Sequence, residues 1–270
     1  MGKKLGLVLE GGGVKGAFAV GAMQALEEVG VKYGGITGTS IGAVNGAMYL
    51  QGGMDMLDRV WQQIDTDTVF DLDEGIIEKI KNRDFDINTV VYVGKKLRTI
   101  REMLASSYEK SQKFFTGVVN EQAIRESELD FGIVAYNITD MKGAELMKEE
   151  IKEGQLVDFV IASATFPIFP AKVIEDKKYI DGGVYDNMPI NLISRHGYDR
   201  VLAIRTNEES KRPKRRIERE DIEVRYIVPP TDLGRPMAFS QGRIGRLREL
   251  GYKQAKHELE NGLAEFLFEE

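Results

Sequence analysis

The sequence predicts an α/β fold built on a mainly parallel sheet covered on both faces by helices. Three observations carry this expectation. Short apolar runs that stop at glycine or turn residues alternate along the chain with stretches of helical periodicity. The first two of these runs, 3–9 and Tyr33 to Thr37, are each followed through a glycine-rich turn by a small-residue helical pattern, the order of a parallel crossover. Finally, Gly11 to Gly16, Ser40 and Asp181 each directly follow a predicted strand, and in open parallel sheets binding sites form at the carboxyl ends of strands.

Composition bounds the function classes. The chain has 270 residues, 42% hydrophobic and 30% charged, with a net charge of −6, which suits a globular α/β domain and gives no basis for nucleic-acid binding. We read one domain over 1–270, with a core at about 4–205, a stretch at 65–128 that reads either as a helical insertion over the mouth of the site or as ordinary packing helices, and a C-terminal helical region at 236–270. There is no cysteine, so disulfides, thiolate nucleophiles and cysteine-based zinc sites are excluded. The apolar run Leu5 to Leu9 stops at Glu10, too short for a secretion signal, and no run reaches the roughly 18 apolar residues of a membrane span. The expected setting is cytoplasmic, peripheral to the membrane.

Taken in order, residues 3–9 read as a buried strand, and Glu10-Gly11-Gly12-Gly13-Val14-Lys15-Gly16 as a loop exposing backbone amides at the start of a helix over Ala17 to Val29. Three readings compete for that loop: an oxyanion hole, a dinucleotide site from the spacing Gly11, Gly13, Gly16, and a bare turn. The dinucleotide reading wants an acidic residue at the end of the next strand, where Gly38-Thr39-Ser40 stands instead. The bare turn leaves the entropy cost of three consecutive glycines unexplained.

The next strand runs into Gly38-Thr39-Ser40-Ile41-Gly42 and the small-residue run Ala43 to Ala47. A strand turning sharply into a helix strains its turn residue, and glycines two positions either side remove the side chains that would clash. Ser40 is thereby placed at the tip, beside a helix N-terminus whose unpaired amides favour negative charge. Met54 to Ile64 continues helically with Trp61 on the core side; Ile76 to Ile80 and Val90 to Leu104 are further helical patterns in the charged 65–128 stretch. Strands follow at Asp130 to Thr139, with Ala144 to Lys148 as partner, at Ala171 to Ile174 and Lys177 to Ile180 around the turn Glu175-Asp176, at Tyr198 to Arg205 and at Ile222 to Val228. A helix is expected over Gln155 to Thr165. Lys211 to Arg216 carries five cations in six residues; contact with anionic headgroups is one reading, and a solvated loop among acidic neighbours is the preferred one. A long amphipathic helix from Ala238 to Phe268 is expected to break at Gly251 and at Asn261-Gly262.

A serine nucleophile needs a base, and the chain has two histidines. His196, before Gly197, fits a cation at a helix end, and His257 a charged helical surface; neither follows a strand, although His257 fits the chain order Ser, Asp, His. Asp181, at a strand end before Gly182-Gly183, is the stronger candidate, with an ordinary turn as the competing reading.

These landmarks together resemble the patatin-like phospholipase family. The glycine loop, the elbow around Ser40, Ala162-Ser163 leading to Pro167, and Asp181-Gly182-Gly183 occur in that family's order and approximate spacing. The resemblance covers about 4–205 and is weak over 65–128 and beyond 230. It implies a three-layer α/β/α fold with a Ser40–Asp181 catalytic dyad and no histidine. It also implies an oxyanion hole from the amides around Gly11, Gly12, Gly13 and Val14, with Lys15, Gly16, Gly38, Gly42, Gly182 and Gly183 as supporting positions. The implied activity is hydrolysis of acyl esters of lipids, at a transiently visited membrane or micelle surface, without metal or organic cofactor. Glu10 and Lys15 depart from commoner family residues, and Lys15 cannot offer a bidentate guanidinium. A non-catalytic lipid-binding protein of this fold and a dinucleotide-binding oxidoreductase are the alternatives.

Overall fold

The computed structural model describes residues 4–64, 105–208 and 216–268. The helical patterns at Ile76 to Ile80 and Val90 to Leu104, and 211–215 of the basic stretch, lie outside these residues. Among the described residues the sheet has eight strands: β1 (Leu5–Leu9), β2 (Gly35–Thr39), β3 (Asp130–Asn137), β4 (Lys142–Met147), β5 (Lys172–Ile174), β6 (Lys177–Asp181), β7 (Arg200–Ile204) and β8 (Glu223–Ile227). Their order is β5-β6-β3-β2-β1-β7-β8, with β4 also on β3. The five strands β3, β2, β1, β7 and β8 run parallel, and β4, β6 and β5 add an antiparallel margin. The parallel strands are the continuous apolar runs that burial on both faces requires: every residue of β1, β2 and β7 is buried.

Alternation along β1 shows the two faces. Leu5, Leu7 and Leu9 pack with the large core formed by α1 (Gly16–Glu28), α2 (Ile41–Gln63), α5 (Leu156–Ser163) and α7 (Gln241–Glu258). Val8 faces the other way, against Ile190 and Ile193 of α6 (Ile190–Arg195) and against Tyr198. Among the described residues between α2 and β3 are a helix over 105–118, α3, and α4 (Glu121–Glu126); a five-residue α8 (Ala264–Phe268) ends the described chain.

Several sequence expectations shift. The second strand is Gly35–Thr39 rather than 33–37, so the chain stays extended up to the elbow. Helix α2 is broken at Gly52 and Gly53, the latter at φ 60°, and Trp61 beyond the break is 1% exposed, its indole N–H donating to Asn45 Oδ1 at 2.9 Å. Gly251 does not interrupt the C-terminal helix. A Cβ there would collide with the Phe18 carbonyl, and one on Gly21 with the Arg248 carbonyl. The glycines let α1 and α7 cross in backbone contact, which a sequence-level reading of Gly251 as a helix breaker misses. The break at Asn261-Gly262 is present, with Gly262 at φ 101°.

Candidate active site

Glycines shape both turns at the carboxyl end of the sheet. A Cβ on Gly42 would strike the Leu9 carbonyl, and one on Gly38 the Gly42 backbone, so strand β2 and helix α2 fold back at a separation no side chain permits. Between them Ser40 takes φ 56° and ψ −127°, a positive φ rare for a non-glycine residue. That geometry thrusts Oγ out beyond the sheet at the start of α2, where the helix dipole favours negative charge.

Asp181 ends β6, and its backbone N–H donates to Thr165 O at 2.8 Å. Its Oδ2 accepts the Ser40 hydroxyl at 2.6 Å and its Oδ1 accepts Gly183 N–H at 2.7 Å. The two sequence-predicted residues are thus joined directly, 141 positions apart in the chain. The segment after Asp181 is stitched across the sheet: Thr39 Oγ1 donates to Asp186 O, Thr37 Oγ1 to Pro189 O, and Gly11 N–H to Asn187 O. Asp181 is held by the same strands that present Ser40.

The glycine loop lies alongside. Gly13 has φ 59°, with the Pro236 carbonyl where a Cβ would stand. Of the four amides singled out in the sequence, Gly11 N–H donates to Asn187 O at 3.1 Å and Val14 N–H to Pro236 O at 2.8 Å. Among the described residues the amides of Gly12 and Gly13 meet no acceptor. Glu10, 3% exposed, anchors the loop from below: Oε2 accepts the Thr206 and Asn207 amides and lies 3.8 Å from Arg205 Nε, while Oε1 accepts from the Asn187 and Asn207 side chains. Lys15, also buried, donates from Nζ to Asn207 Oδ1 at 2.8 Å.

Gly11, Gly12, Gly13, Ser40 and Asp181 border one cavity of about 320 Å³. Ile64, Phe115, Phe166, Pro167, Met237 and Phe239 are among the residues of its apolar wall, a lining suited to hydrocarbon. Neither histidine borders it. His196 caps α6 with its ring nitrogen 2.8 Å from Leu192 O, beside Gly197 at φ 87°, and His257 is exposed on α7. The Tyr108 hydroxyl is pushed up from its ordinary pKa by burial and the Asp158 charge, against hydrogen bonds with Thr165 and Gln112.

Asn187, Asn207 and Pro236 have no local signature in the sequence. They reach the glycine loop only because β6, β7 and the chain before α7 converge there. No residue at the end of β2 offers a carboxylate to a ribose; Ser40 stands in its place.

A family model described as patatin-like phospholipase matches residues 7–193. The chain belongs to the patatin-like phospholipase family. This patatin-like chain is 30% identical over 207 residues to Lysophospholipase nte1 of Aspergillus terreus and 26% identical over 211 residues to human patatin-like phospholipase domain-containing protein 6. Those matches take in 75% of this chain but only 12% and 13% of the two relatives' lengths. In structure it is similar to human GIVD cytosolic phospholipase A2, with TM-score 0.55, 10% identity, and 98% of this chain and 59% of that one covered. It is also similar to VipD of Legionella pneumophila, with TM-score 0.52, 15% identity, and 96% and 67% covered. At such identities the structural likeness speaks for the fold alone.

Proposed function

We propose that this patatin-like chain is a serine acyl hydrolase that cleaves ester bonds of phospholipids or other acyl lipids, using Ser40 and Asp181 as a dyad and passing through an acyl-enzyme. The observation that carries the reading is the 2.6 Å hydrogen bond from Ser40 Oγ to Asp181 Oδ2 at a strained elbow, with both residues bordering the cavity. Its apolar wall would seat an acyl chain, and lysophospholipases among the relatives make a lysophospholipid the first substrate to try. The lipid is presented from a membrane or micelle surface; no described helix is long and apolar enough to cross a bilayer.

Asp181 Oδ2 takes the hydroxyl proton as Ser40 Oγ attacks the ester carbonyl carbon. The carbonyl oxygen becomes an oxyanion beside the amides of Gly12 and Gly13, which are assigned as its donors; Gly11 and Val14 hold the loop in shape through their bonds to Asn187 and Pro236. As the tetrahedral intermediate collapses, Asp181 returns the proton to the departing alkoxide and the acyl group stays on Ser40. A water then gives its proton to Asp181 and attacks the acyl carbon, and the fatty acid leaves as the proton passes back to Ser40 Oγ. The Gly183 amide, donating to Asp181 Oδ1, keeps the carboxylate facing the serine throughout.

The test is reaction with a fluorophosphonate followed by peptide mass mapping, alongside release of fatty acid from a lysophospholipid. A single adduct on Ser40 together with hydrolysis is expected. An adduct elsewhere, or none, overturns the assignment; an adduct on Ser40 without turnover of any ester favours a non-catalytic lipid-binding protein.

A further inference from the structure

The dyad and glycine loop leave one of the sequence landmarks without a task, Ala162-Ser163 leading to Pro167. Ser163 is the last residue of α5 and is fully buried. Its hydroxyl donates to Val134 O at 2.6 Å and accepts the backbone N–H of Ser40 at 2.9 Å. It therefore stands between the central strand β3 and the strained residue of the elbow.

We infer that Ser163 is a positioning residue for the nucleophile: its hydroxyl fixes the Ser40 peptide and so aims Oγ at Asp181 and at the ester carbon. The inference rests on the Ser40–Asp181 reading above. Three features carry it. Ser40 is held at φ 56°, and a strained residue persists only where its surroundings over-determine it. As the residue that precedes the first turn of α2, Ser40 finds no intrahelical acceptor for its N–H, and the Ser163 hydroxyl satisfies it. The same few residues also set the other half of the dyad, because Thr165 O, two positions on, accepts the Asp181 N–H at 2.8 Å. The end of α5 thus braces both partners against one another, and the Val134 carbonyl that anchors Ser163 also lies where a Cβ on Gly182 would stand, next to Asp181.

A consequence follows for the oxyanion hole. The Ser40 amide is already committed to Ser163, so it cannot serve as an oxyanion donor without leaving that partner, which places the burden on the glycine loop. In a site where reacting atoms must meet at about 3–3.5 Å, a displacement of roughly 1 Å costs on the order of 100-fold in rate. The hydroxyl supplies no proton to the reaction and touches no substrate atom; its effect is on where Ser40 sits.

The experiment compares wild type, Ser163→Ala and Ser163→Cys. With a soluble short-chain ester, Ser163→Ala is expected to lower kcat by about 10- to 100-fold with KM within about twofold, the pattern of an interaction that governs the chemical step. The second-order rate of phosphonylation of Ser40 by a fluorophosphonate should fall by a similar factor, since that reaction reports the nucleophile without lipid binding. Ser163→Cys, which keeps a weak donor and acceptor of similar shape, should recover part of both losses. A variant with a lowered melting temperature but unchanged kcat and unchanged phosphonylation rate would reduce Ser163 to a structural role. Should Ser163→Ala not fold, Ser163→Cys carries the same comparison. Amide exchange in the wild type provides a further check: the Ser40 N–H should be strongly protected, and rapid exchange there in the native protein overturns the inference. Failure of the wild type to react at Ser40 would instead overturn the dyad reading, so the two failures are distinguishable.

Discussion

Thr39 and Asp181 occupy neighbouring rungs on one edge of β3, opposite Val134 and Ala135 respectively. The other edge of β3 belongs to β4 over the same stretch. Strand β2 arrives at this edge parallel to β3 and β6 arrives antiparallel, so their carboxyl ends meet head-on and the residues at those ends, Ser40 and Asp181, face each other. The antiparallel margin of the sheet is therefore what brings Asp181 to Ser40. A parallel strand in that place would have carried its carboxyl end away from Ser40.

On the proposed dyad reading, this geometry makes activity sensitive to the length of the acid. Ser40→Ala and Asp181→Asn should each abolish ester hydrolysis, because the first lacks the nucleophile and the second keeps the shape but cannot take the proton. Asp181→Glu should also lose most activity: an added methylene cannot be accommodated in a 2.6 Å contact without moving the strand end. His196→Ala and His257→Ala should stay within a few-fold of wild type, whereas removing a working triad histidine costs several powers of ten in kcat. Steady-state kinetics on variants checked for folding by circular dichroism decides this, and a folded but dead His257→Ala would replace the dyad with a triad.

How much of this was legible in the chain follows from where each signal resides. Ser40 could be found because strand, glycine pair and small-residue helix are consecutive, and Asp181 because it closes an apolar strand before two glycines. The glycine loop was legible for the same local reason, but not which of its amides are committed. That depends on the carbonyls of Asn187 and Pro236, distant in the chain and unremarkable in composition. Gly251 misleads for the complementary reason: helix propensity penalises glycine whatever it touches, and the Phe18 backbone that requires it there is visible only once α1 and α7 are packed.

In the glycine loop, Gly13→Ala should impair stability and activity together. The residue has φ 59°, which alanine adopts at a cost, and the new methyl would meet the Pro236 carbonyl that accepts Val14 N–H. Losing one oxyanion donor lowers kcat by about 100- to 1,000-fold. The expected result is such a fall in kcat per active site, counted by fluorophosphonate titration, with a lowered melting temperature. Full kcat in the molecules that remain folded would confine the loop to a structural role.

Glu10→Ala should be among the more damaging substitutions away from the reacting atoms. The carboxylate is 4% exposed at the side chain, faces Arg205 at 1%, and accepts the Thr206 and Asn207 amides. Removing it leaves a buried guanidinium without its counter-charge, a change that costs about 3–5 kcal/mol when one partner of a buried pair is deleted. Urea denaturation should show a loss of this size, and Glu10→Gln, which keeps an acceptor but not the charge, a smaller one. A loss under about 1 kcal/mol would mean that Arg205 finds other compensation.

The crossing of α1 and α7 offers a test with an internal control, because α7 carries glycines in opposite environments. Gly251 has the Phe18 backbone where its Cβ would go, while Gly245, on the same helix, has nothing within 4 Å of that position. Gly251→Ala forces two helix backbones apart, and since Gly21 meets the Arg248 carbonyl at the same crossing, there is no slack on the facing side. Overpacking of this kind costs about 1–3 kcal/mol. Gly245→Ala adds a methyl to open space in a helix interior and should stabilise by about 0.5–1 kcal/mol, through the entropy that glycine loses on folding. Thermal and urea denaturation of the two single variants should move in opposite directions. Equal and small shifts would show that the helices do not rely on glycine to approach, and that Gly251 is tolerated in α7 for some other reason than this contact.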